Sequence, residues 1–157
     1  MILVECKPDA VLVKSLAARG RNKDIVHEIK GKFEVCRRLS ALEHTVGLVD
    51  EDPSARQPVY LSRMSLTDDF QEHGLMVLYH KRRDNRLIIL RPKLEDWALK
   101  VAKSAKLDVT EYGLPGSPKR MHEHINARLD EFQALVRDLR RRSDSMKALA
   151  RLLRVSQ

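Results

Sequence analysis

Aromatic residues are scarce in this chain, where they make up 4% of the 157 residues. The hydrophobic core must therefore be mainly aliphatic, and a platform of aromatic rings for stacking nucleic-acid bases is not expected. Cysteine is also rare: Cys6 and Cys36 are the two present, and they form no C-x-x-C motif or metal-ligand spacing. Such sparse cysteine usage favours a reduced, cytoplasmic setting.

Long apolar runs are missing as well. No stretch approaches the roughly 20 residues of a membrane-spanning helix, and no signal peptide is recognisable, so we expect no membrane association. The glycine patterns G-x-x-x-x-G-K-[ST] and G-x-G-x-x-G do not occur either. Their absence argues against a protein that cradles a nucleotide in a glycine-rich loop.

Basic residues, in contrast, are abundant. The formal net charge is +8, and the isoelectric point is near 9.7. About five of these charges lie in residues 118–157, where ten Lys and Arg residues accompany five Asp and Glu residues. This excess favours an anionic partner such as nucleic acid, although a basic isoelectric point is also common in proteins that bind none.

Short apolar runs alternate with helical patterns in the first third of the chain. Strands are predicted at residues 1–5, 24–29 and 45–50. Helices are predicted between them, from Pro8 to about Gly20 and from Lys32 to Glu43. A β-α-β-α-β order is typical of a parallel sheet with helical crossovers. Within the second helix, Phe33, Cys36 and Leu39 are expected to face the core.

The later pattern is more varied. Residues 54–69 are predicted to be a loop with little regular structure, and residues 75–79 and 87–90 are predicted to form a β-hairpin. Residues 94–105 have the periodicity of an amphipathic helix. We therefore predict an α/β fold whose mostly parallel sheet is flanked by helices and followed by a helical extension.

A linker is predicted at residues 115–118, which divides the chain into an α/β domain at 1–114 and basic helices at 118–157. Apolar residues from Ile125 to Leu139 recur at steps of four and three, which predicts one long packed helix. Ser143 is expected to cap a last helix. These C-terminal helices either pack on the first domain or serve association.

Carboxylates follow two of the predicted strands. Glu5 comes after the first strand, and Asp50 and Asp52 come after the third. Parallel strands of one unit end at the same edge of the sheet, so Glu5 lies beside the aspartates if the strands are neighbours. On an extended chain, Asp50 and Asp52 point the same way and could hold Mg²⁺ or Mn²⁺. The alternative is a loop of solvated acids after a core strand.

Residues 4–10 resemble the opening motif of Toprim domains, in which a hydrophobic strand ends in a glutamate. Residues 48–52 resemble the D-x-D motif of the same family, and the β-α-β-α spacing between the motifs is also similar. The resemblance covers about residues 1–55. It implies a Rossmann-like sheet, Mg²⁺ held by Asp50 and Asp52, and Glu5 as the general acid/base or a further ligand. Cys6 replaces the glycine that is usual in the family, where glycine allows close backbone approach.

Other charged residues are candidates around such a site. Asp9, Glu51 and Glu95 could surround the metal ligands, although Asp9 and Glu95 also suit the first turn of a helix. Several basic residues could contact nucleic-acid phosphates or be solvated surface groups: Lys7, Lys81, Arg82, Arg83 and Arg86. His122 and His124 are two apart, face different ways on a helix and are interpreted as surface residues.

Two functions are compatible with this sequence. The first is Mg²⁺-dependent phosphoryl transfer on nucleic acid, as in a nuclease, with Glu5 positioning or deprotonating the attacking water. The second is a non-catalytic Toprim-like scaffold or nucleic-acid-binding protein with a degenerate site. Its C-terminal helices would form a homodimer or attach to a larger complex. The sequence leaves open whether the chain is an enzyme.

Overall fold

A single six-stranded sheet forms the centre of the computed structural model, which describes residues 1–16 and 26–154. The strands are β1 (Ile2–Val4), β2 (Val26–Glu28), β3 (Val46–Asp50), β4 (Ser65–Phe70), β5 (Leu75–His80) and β6 (Asn85–Leu90). Their order across the sheet is β2-β1-β3-β6-β5-β4. The pairs β2–β1, β1–β3 and β3–β6 are parallel, whereas the pairs β6–β5 and β5–β4 are antiparallel. The predicted α/β class with a mostly parallel, Rossmann-like sheet is confirmed.

Helices cover both faces of this sheet. The described helices are α1 (Lys7–Leu16), α2 (Lys32–Ala41), α3 (Leu94–Ser104), α4 (Pro118–His124), α5 (Leu129–Arg142) and α6 (Asp144–Arg154). Short 3₁₀ helices occur at Val59–Arg63, Gln71–His73, Val109–Tyr112 and Ile125–Ala127. One face packs against α2 and the 3₁₀ helix Val59–Arg63, and the other packs against α1 and the helices from α3 onward.

Side chains along the central strands alternate between the two faces, as strand geometry requires. In β1, Ile2 and Val4 belong to the core beneath α1, whereas Leu3 belongs to the core beneath α2. Both sides are buried, which explains why the first and third strands appear in the sequence as continuous apolar runs rather than alternating ones.

The region between β3 and β5 differs from the prediction. Residues 54–69 contain the 3₁₀ helix Val59–Arg63 and the outer strand β4. Strand β4 is mostly exposed, and its pairing with β5 shifts register between Leu66 and Asp68. An exposed edge strand has no buried face to impose an apolar alternation, so its sequence pattern resembles that of a loop.

The C-terminal helices share one core with the α/β unit. Apolar residues of α5, including Phe132, Val136 and Leu139, lie in the same buried cluster as Leu12 and Leu16 of α1. Helix α5 packs directly on α1, so the predicted apolar seam is used within the chain. Instead of one long helix, the chain forms α4, a 3₁₀ turn and then α5. Ser143 does cap the last helix, because its Oγ accepts the N–H of Met146 at 3.1 Å.

Other predictions for single segments have mixed outcomes. The expected end of α1 near Gly20 and the start of β2 at residues 24 and 25 lie outside the described residues. In α2, Cys36 and Leu39 are buried as predicted, but Phe33 is 51% exposed. Across the ranges that the structure covers, every helix is too short or too polar to cross a membrane.

Candidate functional site

Glu5 and Asp50 meet at the carboxyl edge of the parallel strands. Strands β1 and β3 are neighbours, as the prediction required, and Val4 pairs with Leu48. Glu5 follows β1 directly, and Asp50 is the last residue of β3. The backbone N–H of Asp50 donates a hydrogen bond to Glu5 Oε1 at 2.8 Å. The topology therefore brings together two acids that lie 45 residues apart in the sequence.

Asp50 is also anchored to the start of helix α3. Its Oδ1 accepts the backbone N–H of Leu94, the first residue of α3, at 2.9 Å. A helix N-terminus favours negative charge. Nevertheless, the pKa of Asp50 is raised to about 8, first because burial removes water from the carboxylate and then because Asp9, Glu5 and Glu95 add negative charge.

Asp9 is the most deeply buried acid of this edge. It lies in the first turn of α1, and only 2% of its surface is exposed. Its Oδ2 accepts a hydrogen bond from the thiol of Cys6 at 3.1 Å, whereas its Oδ1 is buried and has no partner among the described residues. Burial, with smaller contributions from Glu5 and Glu95, raises the pKa of Asp9 to about 7. Negative charge at this position is therefore poorly compensated.

Lys32 is a basic residue that interacts electrostatically with these acids. It was not among the site residues predicted from the sequence. Its Nζ donates to the backbone carbonyl of Glu51 at 2.7 Å and to Gln57 Oε1 at 2.5 Å. Burial lowers the pKa of Lys32, although Glu5 partly offsets this effect. Burial likewise raises the pKa of Glu5, which the Asp50 N–H and Lys32 partly lower. The usable sequence signal was position, because Lys32 begins the helix that follows β2 at the same edge.

Asp52 does not lie on an extended chain, as the D-x-D interpretation assumed. Strand β3 ends at Asp50, and Asp52 adopts a left-handed conformation with φ of 44°. Its Oδ1 lies 3.6 Å from Lys93 Nζ, in a direction set by this turn. Glu51 instead pairs with Arg91 at 2.9 Å. The alternation argument for Asp50 and Asp52 is therefore wrong, although the Asp52 charge still raises the pKa of Glu5.

A ready-made metal cage is not visible in this arrangement. Within residues 1–16 and 26–154, no group of three or more His, Cys, Asp or Glu side chains is arranged to hold a metal ion. The oxygen donors nevertheless suit a hard cation, since Mg²⁺ is often bound by one or two carboxylates and several waters. The orphaned Asp9 Oδ1 and the contact between Glu5 and Asp50 fit such an open site better than a closed one.

Glu95 links the acidic edge, which we define as Glu5, Asp9 and Asp50, to the C-terminal helices. It is buried in the first turn of α3, and its Oε1 lies 3.0 Å from Nδ1 of His122 in α4. The His122 side chain is 75% exposed, so the prediction of a surface residue is correct but omitted this contact. No local pattern signals a pair that only the packing of α4 on α3 creates.

The candidate nucleic-acid contacts fall at opposite edges of the sheet. Lys7 lines a cleft of about 370 Å³ together with Glu5, Glu28 and Lys30. The hairpin turn before β6 carries Lys81, Arg82 and Arg83. Arg86 lies near the start of β6 and pairs with Val46 at the start of β3. Because Glu5 and Asp50 lie where β1 and β3 end, the basic hairpin and the acids do not form one site.

Cys6 does not distort the turn between β1 and α1. Its φ is not among the positive values of the described residues, so this turn does not require the glycine that is usual in Toprim domains.

Comparison with protein-family models, with curated proteins and with solved structures finds no match to this chain. The case for a function therefore rests on the acidic edge and on the motifs that form it.

Proposed function

We propose that Glu5 and Asp50, with Asp9 beside them, form an open Mg²⁺ or Mn²⁺ site that supports phosphoryl transfer on nucleic acid. The Toprim resemblance implies this chemistry, but with Asp52 as a ligand beside Asp50. The observation that carries this proposal is the hydrogen bond from the Asp50 N–H to Glu5 at the ends of adjacent parallel strands. It brings the two motifs of the resemblance together at the edge where open α/β sheets place their ligands.

Uncompensated negative charge is the second support. Burial first, and neighbouring like charges second, disfavour ionisation of these acids, and the pKa values of Glu5, Asp9 and Asp50 are all raised. Either protons or a cation can relieve this repulsion near neutral pH. Carboxylate oxygens are the ligands that hard divalent cations prefer, so a divalent cation is the natural competitor of the protons.

Each residue has a distinct role in this proposal. Asp50 and Glu5 would supply oxygen ligands, while Leu94 and the Asp50 N–H keep their carboxylates in place. Glu5 would also accept a proton from an attacking water. The cation would supply polarisation of that water and of a phosphate oxygen. Asp52, paired with Lys93, would contribute negative potential rather than a ligand oxygen.

The alternative function is a non-catalytic scaffold or nucleic-acid-binding protein with a degenerate site. The pairing of Asp52 with Lys93 and the absence of a three-ligand group in the described residues favour it. In this case Lys32 and protons on the carboxyl groups would suffice to neutralise the negative charge of the acidic edge. The protein would then be indifferent to divalent cations.

Thermal unfolding with increasing Mg²⁺ or Mn²⁺ separates the two functions. A cation that binds only the folded state raises its stability, so the wild-type midpoint should rise and that of Asp50→Asn should not. Asp68→Asn is the matched control, because it removes the same charge from the outer strand β4. Equal cation responses in wild type and Asp50→Asn would disprove the site.

Activity requires a second experiment. Wild type should cleave labelled DNA or RNA strands only with Mg²⁺ or Mn²⁺, and Glu5→Gln should lose this cleavage while retaining the fold. Cation-dependent stabilisation without cleavage of either nucleic acid would support a metal site but contradict nuclease activity.

A further inference from the structure

The most exposed aromatic ring of the described chain lies beside the acidic edge. Phe33 is 51% exposed, although aromatic residues are scarce and the sequence predicted that this one would face the core. Val59, at 69%, is exposed on the 3₁₀ helix that packs against α2. Both residues line the same cleft, which we name the Phe33 cleft.

The Phe33 cleft is small and combines apolar and basic walls. Its volume is about 230 Å³, and its lining includes Phe33, Arg37, Pro58, Val59, Tyr60 and Arg63. No acidic residue lines it. Arg37 is neutralised by Glu34, with contacts at 2.8 and 2.5 Å, whereas Arg63 forms no ion pair with the residues that the structure describes. The cleft therefore offers an apolar ring and one uncommitted cation.

Residues next to the Phe33 cleft in the sequence contact the segment that follows Asp50, since Lys32 and Gln57 both donate to the backbone carbonyl of Glu51. Lys32 precedes Phe33 and Gln57 precedes Pro58, and the side chains of Lys32 and Gln57 are hydrogen-bonded to each other at 2.5 Å. Lys32 in turn feels the charges of Glu5, Asp52 and Asp50. A ligand that lies over this contact would reach the acids on one side and Phe33 on the other.

We propose that the Phe33 cleft binds one nucleotide of a single-stranded nucleic acid, with the base on the Phe33 ring and a neighbouring phosphate on Arg63. This inference rests on the proposed function for its place next to the acidic edge. Aromatic rings accept any base by stacking, and arginine suits phosphate. The cleft is smaller than most small-molecule sites, so it accommodates one flipped-out base and excludes a double helix.

Binding of a fluorescein-labelled, mixed-sequence single-stranded dodecanucleotide, measured by fluorescence anisotropy in EDTA, tests this proposal. EDTA prevents cleavage and removes any dependence on the metal site. Phe33→Ala should weaken binding about tenfold, because loss of one base–aromatic stack typically weakens binding from about 5-fold to about 160-fold. Phe33→Trp should retain binding.

Two matched variants control for general surface effects. Leu66→Ala removes a similarly exposed apolar side chain from β4, and Arg151→Gln removes an exposed arginine from α6, on the other face of the sheet. Both should leave binding unchanged. Arg63→Gln should reduce the slope of log affinity against log salt by about 0.7, the value for one phosphate contact on a single strand.

Four outcomes would overturn the proposal: no binding of the oligonucleotide, tighter binding of the corresponding duplex, equal losses in Phe33→Ala and Leu66→Ala, or a larger loss in Arg151→Gln than in Arg63→Gln. A dimer in analytical ultracentrifugation that Phe33→Ala dissociates would also overturn it, because a second copy would then occupy the cleft. Oligonucleotide binding without any cation response would retain this inference and reject the metal site.

Discussion

The backbone N–H of Asp50 donates to the carboxylate of Glu5 at 2.8 Å, and this bond ties the end of β3 to the end of β1. The same aspartate accepts the first N–H of α3. Three segments of the chain therefore converge on one pair of acids. Their carboxylates are held by hydrogen bonds but not neutralised, which makes the edge sensitive to pH and to cations.

The stability of the metal-free protein should fall as pH rises from about 5 to 8. The pKa values of Asp9 and Asp50, about 7 and about 8, exceed the ordinary value of 3.8, so the folded state holds more protons than the unfolded state in this range. Stability contributed in this way is complete at low pH and is lost as pH rises through the folded-state pKa, by about 1.4 kcal/mol for each unit of pKa difference.

Urea unfolding in EDTA at several pH values measures this effect. Asp50→Asn should flatten the decline, whereas Asp68→Asn should preserve it. The exposed carboxyl groups with lowered pKa values, such as Asp84 and Asp108, start from 3.8 and therefore titrate below this range. A stability that increases between pH 5 and 8 would contradict the electrostatic description of the edge.

Divalent cations should stabilise the protein more at pH 8 than at pH 6. Metal binding requires deprotonated ligands, so it must displace the protons that Asp50 and Asp9 retain at the lower pH. Thermal midpoints with and without Mn²⁺ at the two pH values give the comparison. A cation effect that is the same at both would indicate binding elsewhere on the surface.

Cys6 should react slowly with alkylating agents although part of its surface is exposed. Burial of the thiol and the neighbouring Asp9 charge raise its pKa far above 9.0, and the thiolate is the reactive form. Iodoacetamide labelling at pH 8, followed by mass spectrometry in a Cys36→Ala background, measures the rate. Asp9→Asn should accelerate labelling, because it removes a negative charge beside the sulfur. Labelling of wild type as fast as a free cysteine would refute the described environment.

Asn85→Ala should destabilise the fold by about 2–4 kcal/mol, because it removes three hydrogen bonds that a buried side chain makes to the backbone. The Asn85 side chain accepts the N–H of Thr45 at 3.0 Å and donates to the carbonyls of Leu39 and Leu42 at 2.7 and 2.9 Å. Urea unfolding measures the free energy of unfolding. The control is Asn126→Ala, a substitution at an exposed position. A loss no larger than that of the control would show that these contacts contribute little.

Asn85 also illustrates what local sequence can and cannot reveal. The sequence Asp84-Asn85 correctly predicted a hairpin turn, since both residues favour turns. The sequence did not show that its amide would be buried against the end of α2, because those partners lie more than 40 residues away. Apolar runs and helical periodicity were sufficient for every strand of the sheet except β4 and for most helices, as they depend on neighbouring residues.

The candidate site was predictable to a similar extent. Glu5 and Asp50 could be placed at one edge because strand order constrains where parallel strands end. Asp52 was misplaced because a single left-handed residue ended the extended geometry that the argument assumed. Lys32, Glu95 and His122 depend on packing between distant helices. Phe33 was assigned to the core by helical spacing, which cannot show that the described elements leave half of this side chain exposed.

The packing of α5 on α1 limits how this protein could be divided or transplanted. Phe132, Val136 and Leu139 belong to the same buried cluster as the apolar residues of α1, and α5 packs directly on that helix. A fragment cut at residue 115 would carry the acidic edge but would expose the apolar surface of α1 that α5 covers. The smallest portable unit that contains this edge must therefore extend through α5, although the acids themselves lie in the first 95 residues.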